Sequence, residues 1–129
     1  MPARESVEAF AAQVLSGDHV GAIRDWYAED ASMQENQDAP RVGRQLLMDG
    51  EAAMLARVAA VKTELLAPPM IDGDRVAIHW RFTFTSRKGV DRSLEEIAWQ
   101  TWKGEKIWRE VFWYDPAQTS ARGEAAKEG

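Results

Sequence analysis

An α+β fold is what the sequence predicts, on three observations. Apolar residues recur at helical spacing through most of the first 61 positions. From Val76 to Thr85 they alternate strictly with small or polar ones, and two more strand-like runs follow. Helices and strands come in separate blocks, with one extended stretch among the helices, rather than in the alternation that builds a parallel sheet.

The first helix is predicted over 4–15, where Val7, Phe10, Ala11, Val14 and Leu15 make one apolar face. Gly17 suits its C-terminus. Asp18 suits the N-cap of a short second helix, His19 to Tyr27, which turns Val20, Ile23 and Trp26 or Tyr27 inward. Glu29-Asp30 marks a turn, 31–36 reads as extended, and Gln37-Asp38-Ala39-Pro40 as a polar loop. Gly43 opens a third helix over 44–61 with Leu46, Leu47, Met54, Val58 and Val61 as its stripe. Gly50 inside it costs about 1 kcal/mol against Ala, which points to a close approach.

Pro68-Pro69 separates two extended segments, and Asp72-Gly73-Asp74 reads as a hairpin turn. Strands are expected over 76–85, 92–102 and 106–114, joined by Arg87-Lys88-Gly89 and Lys103-Gly104-Glu105. Asp115-Pro116 closes the sheet. One domain over 1–116 is expected, with 117–129 as a flexible C-terminal tail, small, polar and charged.

Hydrophobic residues make up 45% of the chain and six are Trp, enough for a core without staples. The absence of Cys excludes disulfides, thiolate metal sites and a cysteine nucleophile. A net charge of −5 with no basic stripe argues against nucleic acid as a partner. No apolar run approaches a membrane span, and Arg4, Glu5 and Glu8 break any signal-peptide core, so a cytoplasmic location is expected. Two His without HExxH spacing give no zinc signal. With no phosphate loop, GxSxG elbow or nucleotide fingerprint either, neither a metal nor a cofactor is expected.

Three motifs carry a family resemblance. Trp26-Tyr27-Ala28-Glu29-Asp30-Ala31-Ser32-Met33-Gln34-Glu35 reads as a tyrosine, an acidic pair, a first strand and an acidic residue. Pro40-Arg41-Val42-Gly43-Arg44 leads into the third helix. Trp99-Gln100-Thr101-Trp102 with Gly104, Lys106-Ile107 and Tyr114-Asp115-Pro116 reads as a final hairpin. In order and spacing, over about 4–116, the chain resembles the ketosteroid isomerase-like, or nuclear transport factor 2-like, superfamily and its SnoaL-like (polyketide cyclase-type) branch. The resemblance implies three N-terminal helices packed on a curved mixed or antiparallel sheet, forming a cone with a central pocket. It implies that Glu35 stands where the isomerases keep their catalytic carboxylate. Phe10 replaces their oxyanion tyrosine and Ala98 their protonated aspartate, so the steroid isomerase oxyanion hole is missing.

If Glu35 points into the cone, strand alternation sends Met33 and Ala31 with it. The resemblance adds Glu96, Ala98, Gln100 and Trp102, then Glu110, Phe112 and Tyr114, and from the strand at 76–85 His79 and Arg81, which a one-residue slip would reverse. Trp26 and Met54 complete a ligand-binding wall. Glu35 would take a proton beside a carbonyl, Arg81 or His79 would steady the enolate oxygen, and Glu110 would take part in the acid/base work. The plainer alternatives stay open: an exposed ion pair of Glu35 with Arg41 or Arg44, a structural His79, and an Arg81 paired with a Glu on the next strand.

The back of the sheet would then carry Trp80, Phe82, Ile97, Trp99, Val111 and Trp113, a face large enough to make a homodimer. Two functions follow. One is a cofactor-free isomerase, cyclase or dehydratase acting on a small hydrophobic carbonyl compound. The other is a non-catalytic ligand-binding or dimerisation domain.

Overall fold

A computed structural model describes residues 1–119. Its helices are α1 (Arg4–Leu15), α2 (His19–Trp26) and α3 (Arg44–Ala56). Its strands are β1 (Tyr27–Glu35), β2 (Arg41–Val42), β3 (Ala60–Leu65), β4 (Met70–Asp72), β5 (Arg75–Thr85), β6 (Asp91–Lys103) and β7 (Lys106–Trp113). They form one mixed, open sheet of seven strands in the order β2-β1-β7-β6-β5-β3, with β4 also on β5. The β1–β7 pair is parallel and the other pairs are antiparallel.

Asp18 caps α2 as expected, accepting from the Gly21 amide at 3.1 Å. A Cβ at position 21 would sit 2.1 Å from that carboxylate, so any larger residue there would make the Asp18 side chain shift. The chain then passes straight into β1 at Tyr27, with no turn at Glu29-Asp30. Gly43, at φ 114°, turns β2 into α3.

The third helix is shorter than its periodicity suggests. It stops at Ala56, and Ala60–Leu65 becomes β3, paired with β5 from Thr85 to Trp80. Val58, Val61 and Thr63 are β-branched, and pairing with a long neighbour outweighs an apolar spacing that suits either element. No atom lies within 4 Å of where a Gly50 Cβ would stand, so that glycine marks open space rather than a close approach.

The core lies between the helices and one face of the sheet. Val7, Phe10, Val14, Ala22, Ile23 and Leu47 from the helices meet Ala31, Val76, Ile78, Trp80, Ala98, Trp102 and Ile107. Beyond β7 the chain makes a helical turn at 117–119. There the Gln118 side chain accepts from the Glu95 amide and donates to the Glu95 carbonyl, both at 3.0 Å. It takes the place of a strand residue past the end of β7. The rest of the expected tail, 120–129, lies outside the described residues.

Candidate active site

Antiparallel register fixes which side chains share a face, because directly opposed residues point the same way. Trp80 opposes Glu96, Phe82 opposes Leu94, and Ile78 opposes Ala98. Gln100 opposes Glu110, and Ala98 opposes Phe112. The five apolar side chains of β5 therefore look toward the helices, together with the even-numbered positions of β6.

This corrects the expected placement of His79 and Arg81. Both lie on the opposite face of the sheet. His79 Nε2 is 3.7 Å from Glu95 Oε1. The Arg81 guanidinium holds both carboxylate oxygens of Glu64, its register partner, at 3.2 and 3.1 Å. The physical reason is plain: Val76, Ile78, Trp80, Phe82 and Phe84 must be buried, and the residues between them must then face out. Trp80 and Phe82 accordingly leave the outer face, where Trp99 and Trp113 remain 42% and 44% exposed.

The helices and the inner face enclose a cavity of about 390 Å³. Its apolar walls include Phe10, Met33, Met54, Trp80, Phe82, Phe84 and Phe112. Phe82 stacks on Phe84 and takes His19 edge-on at 5.7 Å. Four glutamates line it: Glu35 from β1, Glu51 from α3, Glu96 from β6 and Glu110 from β7. Tyr27, Tyr114, His19 and Arg41 line it as well.

The most buried of the four glutamates is Glu110, 2% exposed. Tyr27 hydrogen-bonds its Oε1, and Gln100 Nε2 donates to its Oε2 at 2.7 Å. Trp102 Nε1 donates to Gln100 Oε1 at 2.9 Å. Gln100 and Trp102 thus stand behind Glu110 rather than on the cavity wall. Desolvation pushes the Glu110 carboxyl up to about 7, against the pull of its two hydrogen bonds. Glu96, 7% exposed, lies on the same wall, and among the described residues it has no hydrogen-bond or ion-pair partner. Burial, then the nearby Glu110, holds it well above the usual carboxylate range.

Glu35 is nearer the mouth, where Arg41 donates to its Oε2 at 2.5 Å. Burial raises its pKa, and Arg41 works against the rise. Trp26 stands apart from the cavity wall, its indole donating to Gln13 and its ring 6.4 Å from that of Trp102.

Sequence reasoning missed Tyr27, Glu51 and His19 as site residues. Glu51 had a signal, being one helical turn beyond Leu47 on the stripe that continues to Met54. His19 accepts or donates at 2.9 Å with Thr63, and burial lowers its pKa, so a neutral imidazole is favoured at neutral pH. Among the described residues no group of three or more His, Asp or Glu is arranged to hold a metal ion. No helix among them is long and apolar enough to cross a membrane.

The family model of the SnoaL-like domain matches residues 6–110. Among solved structures, a protein from Mesorhizobium loti assigned to the SnoaL-like polyketide cyclases superposes with a TM-score of 0.74 at 24% identity, over 88% of this chain and 100% of that one. A ketosteroid isomerase-like protein from Catenulispora acidiphila, in complex with trimethylamine, gives 0.75 at 20% identity, over 93% of this chain and 92% of that one. TerC, co-crystallised with polyporic acid, gives 0.75 at 17% identity, over 95% and 96%. At such identities the likeness shows a shared fold. No curated protein matches the sequence.

Proposed function

The chain belongs to the SnoaL-like domain family, and from that premise we propose that it is a cofactor-free enzyme moving protons on a small hydrophobic carbonyl compound. The reaction class is isomerase, cyclase or dehydratase. The sheet is read as a cone-like wall around a substrate pocket, whose volume lies in the range usual for small-molecule sites.

One observation carries this reading. Two carboxyls, Glu96 and Glu110, are buried against a largely apolar cavity, with no cation against either among the described residues. Burying ionised acids in this way is costly, so they favour keeping their protons. A neutral Glu96 can donate to a carbonyl oxygen and stabilise it as it gains charge. Glu110, close to neutrality, can both release and accept a proton at physiological pH. Glu35 stands in the family's carboxylate position, and Arg41 favours its ionised form, which suits a base that removes the proton beside the carbonyl.

The test is deuterium incorporation, followed by NMR, into the α-carbons of a panel of small cyclic and aromatic ketones. Wild-type protein is expected to catalyse exchange into at least one. The Glu35→Gln variant should lose that activity while keeping its unfolding midpoint. Exchange at the wild-type rate in that variant would contradict the role of Glu35.

A non-catalytic binding domain is the second reading, favoured by the close Arg41–Glu35 pair, which occupies the candidate base. It predicts ligand binding with no exchange on any ketone. On either reading a homodimer through the outer sheet face is proposed, because Trp99 and Trp113 leave large apolar surface exposed there. Sedimentation should show a dimer, and Trp99→Glu with Trp113→Glu should dissociate it.

A further inference from the structure

The proton-transfer reading of the cavity leaves open how Glu110, almost wholly covered, exchanges a proton with a substrate, and the hydrogen bonds behind it point to a route that rests on that reading. An indole nitrogen can only donate. Trp102 therefore fixes the Gln100 amide with its oxygen toward the indole and its NH₂ toward Glu110 Oε2. Oε2 meets a donor in either state of the acid. A proton on Glu110 is thereby directed to Oε1, against the Tyr27 hydroxyl.

A hydroxyl can donate or accept, and its hydrogen can rotate. Tyr27 donates to Glu110 when the acid is ionised. When the acid is protonated Tyr27 accepts, and its own hydrogen is free to turn elsewhere. Tyr27 also lines the cavity, with Phe10 packed edge-on to its ring at 6.0 Å. We propose that Tyr27 is a catalytic residue that relays the Glu110 proton to an oxygen of the bound substrate, and that Gln100 and Trp102 are the positioning residues that aim it. In the step, the Glu110 Oε1–H bond breaks as a Tyr27 O–H bond forms. The former Tyr27 O–H bond breaks as an O–H bond forms on the substrate enolate. Glu110 is left as a carboxylate, Tyr27 is regenerated, and the enolate becomes an enol.

The groups acting on Glu110 come from every element around it. Glu35 of β1 and Glu51 of α3 oppose its ionisation, and Tyr27 and Gln100 favour it, while the Glu110 charge in turn holds Glu96 of β6 toward its neutral form. Loss of either donor should raise its pKa further.

The test is a carbon-13 NMR titration of the Glu110 carboxyl in the whole protein without substrate. Gln100→Met should move the Glu110 midpoint up by about one to two pH units. Trp102→Phe should also move it up, although Trp102 does not touch Glu110, because the freed amide can turn its oxygen to the acid. Ile107→Val, a packing change at the register partner of Trp102, should leave it in place. If the Trp102 variant does not fold, the wild-type indole N–H signal decides: it should shift together with the Glu110 titration. In the deuterium assay Tyr27→Phe should lower kcat by about 10²-fold or more with KM little changed.

An unmoved midpoint in Gln100→Met and Trp102→Phe, or a static indole signal where the Trp102 variant fails, would overturn the positioning roles. An unchanged kcat in Tyr27→Phe would overturn the relay. Absence of exchange by the wild type would end the catalytic reading, relay included, while the titration would still judge the positioning of Glu110.

Discussion

Trp80 on β5 and Glu96 on β6 are register partners and stand side by side on the cavity wall. The pairing sets a 2% exposed indole beside a carboxyl that has no polar partner among the described residues. The ring excludes water from the acid and so contributes to its preference for the neutral form. It also links the β5 phase to the chemistry of the site, since the same alternation that brings Trp80 in sends His79 and Arg81 out.

Trp80→Leu should therefore act on stability and on Glu96 together. Loss of the buried ring should cost about 2–4 kcal/mol in urea unfolding. In a carbon-13 titration the Glu96 carboxyl should move down toward the ordinary carboxylate range as water enters. A Glu96 midpoint that stays put would mean that the indole does not shield it.

Arg81 and His79 make the opposite case. Their partners Glu64 and Glu95 lie on the outer face, and such pairs contribute little. Arg81→Gln and His79→Gln should each leave the urea unfolding midpoint close to that of the wild type and deuterium exchange within about twofold of it. A large loss of exchange in either would place them back in the site.

Gly50 lines the cavity mouth in the middle of α3, and a Cβ there would meet nothing within 4 Å. Gly50→Ala should thus improve helix propensity without strain and raise stability by about 1 kcal/mol, seen as a higher thermal midpoint. A lower midpoint would show that the position is tighter than its geometry indicates.

The fold was largely legible because its signals are local. Asp18 before His19 announced a cap, Gly104 a tight turn, and the β5 alternation a half-buried strand. The end of α3 was not legible. Val58 and Val61 fit helical spacing as well as a strand, and only the distant partner β5 decides between them. On β6 and β7 the inward phase that the resemblance implied does bring Glu96 and Glu110 to the cavity, while Gln100 and Trp102 of the same face stand behind it. The site was not legible at His79 and Arg81, which the family resemblance put inside against the stronger demand that Trp80 and Phe82 be buried. Tyr27 was missed as a hydroxyl donor because its partner Glu110 lies 83 positions away.

The most direct test is the pH dependence of stability in wild type and Glu110→Gln, compared at each pH by urea unfolding. Glu110 titrates at about 7 when folded, against an ordinary 4.5 taken for the unfolded chain. Its folded pKa is raised, so its contribution is fully present below about 4.5 and is lost as pH climbs through 7. His19, whose folded pKa is lowered from its ordinary 6.5, works in the other direction, and the comparison at equal pH cancels it. Relative to Glu110→Gln, the wild type should lose about 2.5 kcal/mol between pH 5 and pH 8. Two parallel curves would show that Glu110 ionises in the folded cavity as easily as in water, and that the site lacks the near-neutral acid on which its chemistry depends.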